Sequence, residues 1–243
     1  MDDFFWKEYY SNFDNIKKIA KACRYREVVI IRQVHDRKIA LRPLKIFKPE
    51  HLKFWIKRLN LLETLFDIYI SNASVKIPFP IPSDLSKISE ARKKLNEHFE
   101  EWTTGYDIFV DVDIASPDQR KLAKAYAKKL RTYLKQDYPD IQIWDTGNGY
   151  HLIQKGKFEP NYVKELIMDI CCKHQIPMSI PVKTVDDKRY IAKNGEWIQI
   201  PSNFKTPEIP KPNIDSSIYD LRRIRRVPYS LHSKTCKPMR KII

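Results

Sequence analysis

Residues 109–114 alternate between apolar and acidic side chains, reading Phe-Val-Asp-Val-Asp-Ile. In a β-strand, side chains two positions apart point to the same face of the sheet. The two valines and the isoleucine of this stretch therefore predict a core-facing surface, while Asp111 and Asp113 lie side by side on the opposite face. Two adjacent carboxylates repel each other, so this strand needs a cation in front of it as well as a core behind it.

Mg²⁺ or Mn²⁺ meets that need, because hard divalent ions prefer carboxylate oxygens. Sites with two such ions, roughly 3.5 to 4 Å apart, serve in-line phosphoryl chemistry. The alternative is a solvated strand end without chemistry. From this motif alone, both interpretations remain open.

A second motif, Thr146-Gly147-Asn148-Gly149, is typical of a turn between two strands. Its glycines also allow backbone amides to approach a phosphate. His151 follows directly and lies on the strand next to the aspartates if consecutive strands pair. There it can contact a triphosphate or support a metal ligand, although a purely structural turn is the alternative.

The third motif lies near the end of the sequence, where acidic residues precede a basic run. Asp215 and Asp220 come before four arginines, and Ser230, His232 and Lys234 then alternate as on one face of an extended segment. A solvated basic tail is the alternative. Apolar residues interrupt the run, however, and we favour a site for metal ions and a polyphosphate.

Basic residues outnumber acidic ones by 45 to 30, giving a net charge of +15. Such a charge suits a nucleic acid or an anionic membrane surface, and we favour nucleic acid. No apolar run approaches the roughly 20 residues of a spanning helix, and the acidic start Met1-Asp2-Asp3 differs from a secretion signal. We expect a soluble, cytoplasmic protein with no membrane partner.

The four cysteines, Cys23, Cys171, Cys172 and Cys236, lack the paired spacing of a zinc site. Two adjacent cysteines on a helix do not easily face one metal ion. We therefore predict reduced structural thiols and expect no structural zinc.

Periodicity and turn residues predict a mixed α/β fold with two lobes that meet near residue 80. The prolines at 78, 80 and 82 disfavour both helix and central strand, and so mark this boundary. Before it we predict a helix over 4–22, strands over 28–31 and 39–44, a helix from 49 and a strand over 67–75. After it we predict helices over 83–101, 117–136 and 161–174, strands over 106–114, 141–144 and 151–154, and a hairpin of 189–192 with 196–200 around Asn194-Gly195.

Residues 223–235 read Arg-Ile-Arg-Arg-Val-Pro-Tyr-Ser-Leu-His-Ser-Lys-Thr. With the paired aspartates and the turn that leads to His151, they resemble the archaeo-eukaryotic primase superfamily, in particular the catalytic small subunit of archaeal and eukaryotic primases. That family carries a paired-aspartate strand, a Ser-Gly-rich turn ending in histidine, and a late Asp before Arg-Leu-Ile-Arg-x-Pro-x-Ser-Leu-His-x-Lys-Thr. Weaker similarities lie at 5–13, 26–27, 42–47 and 69–78.

The resemblance implies one primase-polymerase catalytic domain over 1–243, with an N-terminal lobe over about 1–80. The lobe over about 81–243 would hold the active site on an RRM-like antiparallel sheet. The implied function is that of a DNA primase, which makes RNA or DNA primers by template-directed nucleotidyl transfer with two metal ions. Asp111, Asp113 and Asp215 would be the catalytic residues and hold Mg²⁺ or Mn²⁺, although Asp220, Asp186 and Asp187 are alternatives for the third position.

The resemblance also implies contacts to the incoming nucleotide. His232 and Lys234 would contact its phosphates, Thr146 takes the place of the turn serine, and His151 matches the family's histidine. Asn148 stands where many relatives have a basic residue, and the cysteine-rich zinc insertion of many relatives is absent. The complete predicted nucleotide-binding set is Thr146, Asn148, His151, Arg223, Arg226, Ser230, His232 and Lys234.

The implied partners are a single-stranded DNA template and nucleoside triphosphates, and a primase large subunit or a helicase remains open. One alternative is a non-catalytic, nucleic-acid-binding accessory subunit with a primase fold. Another is a metal-dependent nuclease, which would use the paired aspartates but would give no role to Ser230, His232 and Lys234.

Overall fold

The computed structural model describes residues 3–34, 37–76, 87–179, 182–185, 188–193, 196–201, 210–216 and 222–243. The described chain is mixed α and β, which confirms the predicted class. The helices are α1 Asp3–Ser11, α2 Phe13–Cys23, α3 Pro49–Arg58, α4 Ile88–Glu97, α5 Phe99–Trp102, α6 Arg120–Leu134 and α7 Pro160–Lys173. The strands are β1 Val28–Val34, β2 Arg37–Leu44, β3 Phe66–Ser71, β4 Ala73–Val75, β5 Thr103–Asp113, β6 Gln142–Asp145, β7 Gly149–Phe158, β8 Val182–Val185, β9 Lys188–Lys193, β10 Glu196–Ile200, β11 Asn213–Ile214, β12 Ile224–Arg226 and β13 Arg240–Lys241.

The first sheet is antiparallel, with strand order β12, β3, β1, β2. Helices α1, α2 and α3 pack against it, and their apolar faces bury Trp6, Ile16, Ile19, Leu52 and Trp55. Residues from near the end of the chain, including Val227 and Leu231, belong to the same core. The basic C-terminal motif is therefore anchored in the N-terminal half of the protein.

The second sheet carries the paired aspartates and has the order β11, β5, β7, β6, β13, with β4 also paired to β5. All of its pairings are antiparallel. Val110 and Val112 of β5 are fully buried beneath α6 and α7, as the alternation of residues 109–114 predicts. Asp111 and Asp113 lie on the opposite face of β5, away from these helices.

A third, smaller sheet contains β8, β9 and β10. Strands β9 and β10 pair in antiparallel register, with Lys193 opposite Glu196, which confirms the predicted hairpin. Its Asn194-Gly195 turn and the proline cluster at 78–82 lie outside the described residues.

A buried ion cluster joins the first two sheets. Asp107 of β5 is fully buried and accepts hydrogen bonds from Arg26 at 2.8 and 2.9 Å and from Arg225 of β12 at 2.7 Å. Asn72, between β3 and β4, accepts from both guanidinium groups. Because the single carboxylate of Asp107 pairs with both guanidinium groups, the cluster fixes β12 against the aspartate strand, and one positive charge is left in excess.

Several element boundaries differ from the predictions. The helix predicted over 4–22 is two helices, because the Asn12 side chain accepts the amides of Asp14 and Asn15 and so caps a new helix. The strand predicted over 67–75 divides at Asn72, where the chain passes from the first sheet to the second. The helix predicted over 83–101 forms α4 and α5 within the described residues.

No helix in the described part of the chain is both long and apolar enough to cross a lipid bilayer.

Candidate active site

The structure brings Asp111, Asp113 and Asp215 together. Asp111 and Asp113 lie at the end of β5, and β11 pairs alongside with Asn213 opposite Asp113. Asp215, the residue that follows β11, donates its amide to the Asp111 carbonyl at 3.0 Å. A regular backbone ladder therefore sets the third acidic side chain beside the predicted pair.

Two cations compensate this acidic trio. Lys211 Nζ lies 2.8 Å from Asp113 Oδ2, and Arg223 Nη2 lies 3.0 Å from Asp215 Oδ2. Burial, with the neighbouring charges of Asp113 and Asp215, raises the pKa of Asp111 well above its usual range. Arg223 and Lys211 offset only part of this rise in pKa, so the negative charge of the trio is incompletely compensated.

The donor chemistry of the trio suits Mg²⁺ or Mn²⁺, since all three groups are carboxylates. Lys211 already places an ammonium group against Asp113, where a metal ion would bring its charge. As the side chains stand, no three acidic, histidine or cysteine residues of the described ranges form a metal-binding group. Metal binding at the trio would therefore require Lys211 to leave Asp113. The alternative third aspartates, Asp186, Asp187 and Asp220, lie outside the described residues.

His151 lies opposite Asp111 on the neighbouring strand, as the sequence predicts. Its Nε2 is 3.5 Å from Asp111 Oδ1, and its ring stands edge-on to Phe109 at 4.9 Å. Burial and the cations Arg225 and Arg226 lower the pKa of His151 well below its usual value, so the ring is neutral near pH 7. The neutral ring lies beside the Asp111 carboxylate without a close hydrogen bond to it.

The turn before His151 is closed by its own hydrogen bonds. The Gly147 amide donates to Asp145 Oδ1 at 2.8 Å, and the Asn148 amide donates to Thr146 Oγ1 at 3.3 Å. Arg120 of α6 holds the outside of the turn by bonding Asp145 and the Gly147 carbonyl. These two amides are therefore engaged within the turn, and the Thr146 and Asn148 side chains are the groups that it offers to a ligand.

Gly147 and Gly149 meet a steric requirement of the same turn. Both have positive φ, at 85° and 155°. A Cβ on Gly149 would lie 2.6 Å from the Val112 carbonyl oxygen, and one on Gly147 would lie 2.8 Å from Thr235 Oγ1. The turn therefore packs closely against both the aspartate strand and the C-terminal segment.

An open cleft of about 1250 Å³ lies between the first two sheets in front of β5. Asp111 and Asp113 line one side, and Arg223, Arg226 and His232 line another. Its lining also includes Thr146, Asn148, His151, Tyr69, Phe109 and residues 96–101. Six of the eight predicted nucleotide-binding residues thus meet in one cleft with two of the predicted catalytic aspartates.

His232 is 9% exposed and presents one ring nitrogen as a hydrogen-bond donor. Its Nδ1 accepts the Lys234 amide at 3.0 Å, so in the neutral ring the proton is on Nε2. Burial and the nearby Arg226 lower the pKa of His232 to about 4. His232 can therefore donate to an anionic ligand as a neutral group.

Arg226 is held from several sides. Its guanidinium bonds Asp67 at 2.7 Å and the Leu231 carbonyl at 3.0 Å, and lies over the Tyr69 ring. Asp67 also accepts from the amide and the hydroxyl of Ser233. This network fixes the segment that carries His232, and it leaves Arg226 only 5% exposed at the cleft.

Ser230 and Lys234 do not line the cleft. Ser230 is fully buried, and its hydroxyl donates to the Val227 carbonyl at 2.8 Å. Lys234 is exposed, and its backbone amide supports His232. In this structure the alternating pattern of the motif serves a tight chain reversal, in which Tyr229 has a φ of 70°, and does not align three side chains on one face.

Sequence reasoning missed several residues that shape the site. Lys211 lies in the proline-rich connector, and a lysine between two prolines gave no periodic signal. Arg225 could be found only as one member of a basic run. Its ion pair with Asp107 distinguishes it from the adjacent Arg226, which pairs with Asp67. Asp67 lies near the start of β3, where the sequence gives no sign of its ion pair with Arg226. Segment 96–101 has the pattern of an ordinary polar helix, and nothing in that pattern indicates that it lines the cleft.

Comparison of the chain with models of known protein families and with curated proteins finds no match.

Proposed function

We propose that this protein is a primase-polymerase that catalyses template-directed nucleotidyl transfer with Mg²⁺ or Mn²⁺. The observation that carries the proposal is that Asp111 and Asp113 line a cleft that also contains His232, while the backbone of Asp215 is hydrogen-bonded to that of Asp111. The resemblance of these motifs to the primase superfamily supports it further. Single-stranded DNA and nucleoside triphosphates are the proposed substrates.

In this proposal the carboxylate trio would hold the divalent ions, which would supply charge neutralisation at the reacting phosphoryl group. His232 Nε2 donates to a phosphate oxygen, and Arg226 adds a fixed positive charge behind it. Both groups are held by hydrogen bonds before a nucleotide binds, so little reorganisation is needed when negative charge develops. His151 is a neutral neighbour of the Asp111 carboxylate.

A second candidate function is a non-catalytic, nucleic-acid-binding accessory subunit. The salt bridges of Lys211 with Asp113 and of Arg223 with Asp215 favour it, because they neutralise two of the three carboxylates without any metal ion. This candidate predicts oligonucleotide binding that is indifferent to divalent ions. The primase-polymerase proposal requires Lys211 to be displaced when metal and nucleotide bind.

The test is incubation with a single-stranded template, labelled nucleoside triphosphates and Mg²⁺ or Mn²⁺, with and without a primer. We expect labelled products that are lost in Asp111→Ala/Asp113→Ala. A matched control is Asp118→Ala/Asp137→Ala, which removes two exposed carboxylates elsewhere and should keep activity. Products without primer identify a primase, and products only with primer identify a polymerase that needs another factor to initiate. Oligonucleotide binding without any product favours the accessory subunit.

A further inference from the structure

A second cavity, of about 820 Å³, lies on the other side of the buried ion cluster from the active-site cleft. Arg225 of that cluster lines both cavities. The walls of the second cavity come from α2, from the segment after it, and from β5, β6 and β7. None of the predicted catalytic or nucleotide-binding residues lines it.

The lining of this cavity is strongly basic. Its cations are Lys18, Lys21, Arg24, Arg26, Lys155 and Arg225, against the carboxylates Asp107 and Asp140. Asp107 is already paired with Arg26 and Arg225. Within the described ranges, Lys18, Lys21 and Lys155 form no salt bridge, and all three are exposed. The cavity therefore presents uncompensated positive charge to solvent.

Lys155 lies among several like charges. Partial burial of its amine lowers the pKa of Lys155, and the positive charges of Arg26, Arg225 and Lys21 act in the same direction. An anion bound among these groups would relieve that repulsion. Phosphate is the anion that such a group of lysines and arginines suits best.

Tyr25 stands at the rim of the cavity in an unusual conformation. Its φ is 59°, in the left-handed region that non-glycine residues rarely adopt, and the residue is 60% exposed. The Val75 amide donates to its carbonyl at 2.9 Å, and the following residue, Arg26, is fixed in the ion cluster. The backbone is thus held on both sides in a way that presents an aromatic ring to solvent.

The cavity continues past this ring. A neighbouring depression of about 600 Å³ shares Tyr25 and Ser74 with it and adds Lys76 and Thr104. The two adjacent depressions meet at the exposed ring of Tyr25, and we name them together the Tyr25 groove. A compact ligand would use one depression, whereas a chain of phosphates and bases can use both.

We propose that the Tyr25 groove binds single-stranded nucleic acid, with Lys18 and Lys155 on backbone phosphates and a base stacked on the Tyr25 ring. Basic grooves with stacking aromatic rings are the usual means of holding a single strand without reading its sequence. The proposal gives the polynucleotide a site separate from the triphosphate cleft, and in that respect it rests on the proposed function. Arg225 connects the two sites through the ion cluster.

The test is fluorescence anisotropy with a labelled oligothymidylate at several salt concentrations, on the full chain. Lys18→Glu/Lys155→Glu should weaken binding and reduce the slope of log affinity against log salt by about 1.4, because each lost phosphate contact on a single strand accounts for about 0.7. Lys124→Glu/Lys128→Glu on α6 changes the net charge equally at exposed positions away from the groove, and should leave the slope near that of the unmodified protein. Circular dichroism verifies that each variant is folded.

Stacking is tested at Tyr25 itself. Tyr25→Asn tolerates the left-handed backbone but removes the ring, and should lower affinity about tenfold. Tyr25→Trp keeps a ring and should preserve binding. If Tyr25→Asn and Tyr25→Trp bind the oligonucleotide with equal affinity, the ring does not stack on a base. If Lys18→Glu/Lys155→Glu and Lys124→Glu/Lys128→Glu lose the same amount of affinity, the Tyr25 groove is not the binding site.

Two further arms separate this proposal from others. Lys18→Glu/Lys155→Glu should not change the binding of labelled ATP with Mg²⁺. If the unmodified protein does not bind ATP but the groove variants still bind the oligonucleotide more weakly, the proposed function is wrong and the proposed groove is supported. Vesicles containing phosphatidylserine test the membrane alternative. If the groove variants lose vesicle binding and keep oligonucleotide binding, the groove is a membrane surface and the proposal is overturned.

Discussion

The amide of Asp215 donates a 3.0 Å hydrogen bond to the carbonyl of Asp111, although the two residues come from distant parts of the sequence. The bond continues the pairing of β11 with β5, so the third carboxylate is positioned by the backbone and not by a flexible side chain. Ser179 Oγ accepts the Ser216 amide at 2.8 Å and holds the next residue from the other side. Backbone hydrogen bonds of β5 and β11 therefore set the position of the third carboxylate.

The first prediction concerns the mutual repulsion of this trio. Asp111→Asn should raise the free energy of unfolding of the metal-free protein by about 1 kcal/mol, because it removes one of three neighbouring charges. Mn²⁺ should stabilise the unmodified protein and have little effect on the variant, since a ligand that binds the folded state raises its stability. Chemical denaturation with a chelator and with Mn²⁺ measures both effects. A destabilised metal-free variant would contradict the repulsion.

The second prediction concerns competition between Lys211 and a metal ion. Lys211→Met removes the ammonium group from Asp113, and should tighten Mn²⁺ binding by about fivefold or less, the range expected for a half-exposed ion pair. Lys211→Arg keeps the cation and serves as the matched control. Isothermal titration with Mn²⁺ measures the change. Weaker binding in the methionine variant would show that Lys211 supports the metal site instead of competing with it.

The third prediction concerns the ion cluster between the sheets. Asp107→Asn leaves the guanidinium groups of Arg26 and Arg225 buried without their counter-charge, and should lower the free energy of unfolding by about 3 to 5 kcal/mol. Glu63→Gln is the control, since the exposed pair of Lys7 and Glu63 should contribute about 1 kcal/mol or less. Urea denaturation of the three proteins compares them.

The same cluster should make stability sensitive to acid. Burial acts to raise the pKa of Asp107, but Arg225 and Arg26 outweigh it, and the pKa lies below the usual 3.8. The stabilising charge is therefore fully present above pH 3.8, and its contribution is lost as the pH falls through the lower folded value. Below pH 4 the unmodified protein should lose stability more steeply than Asp107→Asn. If the free energy of unfolding falls with pH at the same rate in both proteins, the lowered pKa of Asp107 is contradicted.

Much of the fold could be predicted from local sequence signals. The alternation in residues 109–114 identifies the buried and polar faces of β5, and Asn-Gly between two β-prone runs identifies the hairpin of β9 and β10. The break at Asn12 was missed because apolar residues recur at helical spacing on both sides of it, although the exposed side chain of Phe13 is not part of the buried face. The passage between sheets at Asn72 was missed because Arg26, Asp107 and Arg225 hold it through contacts distant in sequence.

The site was predictable where backbone pattern places the side chain. Asp111 and Asp113 follow from strand alternation. His151 lies next to Asp111 as expected, but not through consecutive pairing, because β5 pairs with β7 and β6 lies beyond it. Ser230 differs, because a chain reversal at Tyr229 turns its hydroxyl into the protein. Lys211 could not be predicted, since its contact with Asp113 depends on where β11 docks.

The last prediction concerns the protonation state of His232. Its pKa is lowered to about 4 by burial and by Arg226, so the ring should remain neutral, with the proton on Nε2, from pH 8 down to about pH 5. Nitrogen chemical shifts of the His232 ring, recorded by NMR across this range, should therefore show no titration, and a midpoint near 6.5 would contradict the assignment. Because the folded pKa is depressed, the ring contributes stability that is present above pH 6.5 and is lost as the pH falls towards 4. His232→Phe should remove this dependence and weaken triphosphate binding about tenfold, while His232→Gln, which keeps a donor, should lose less.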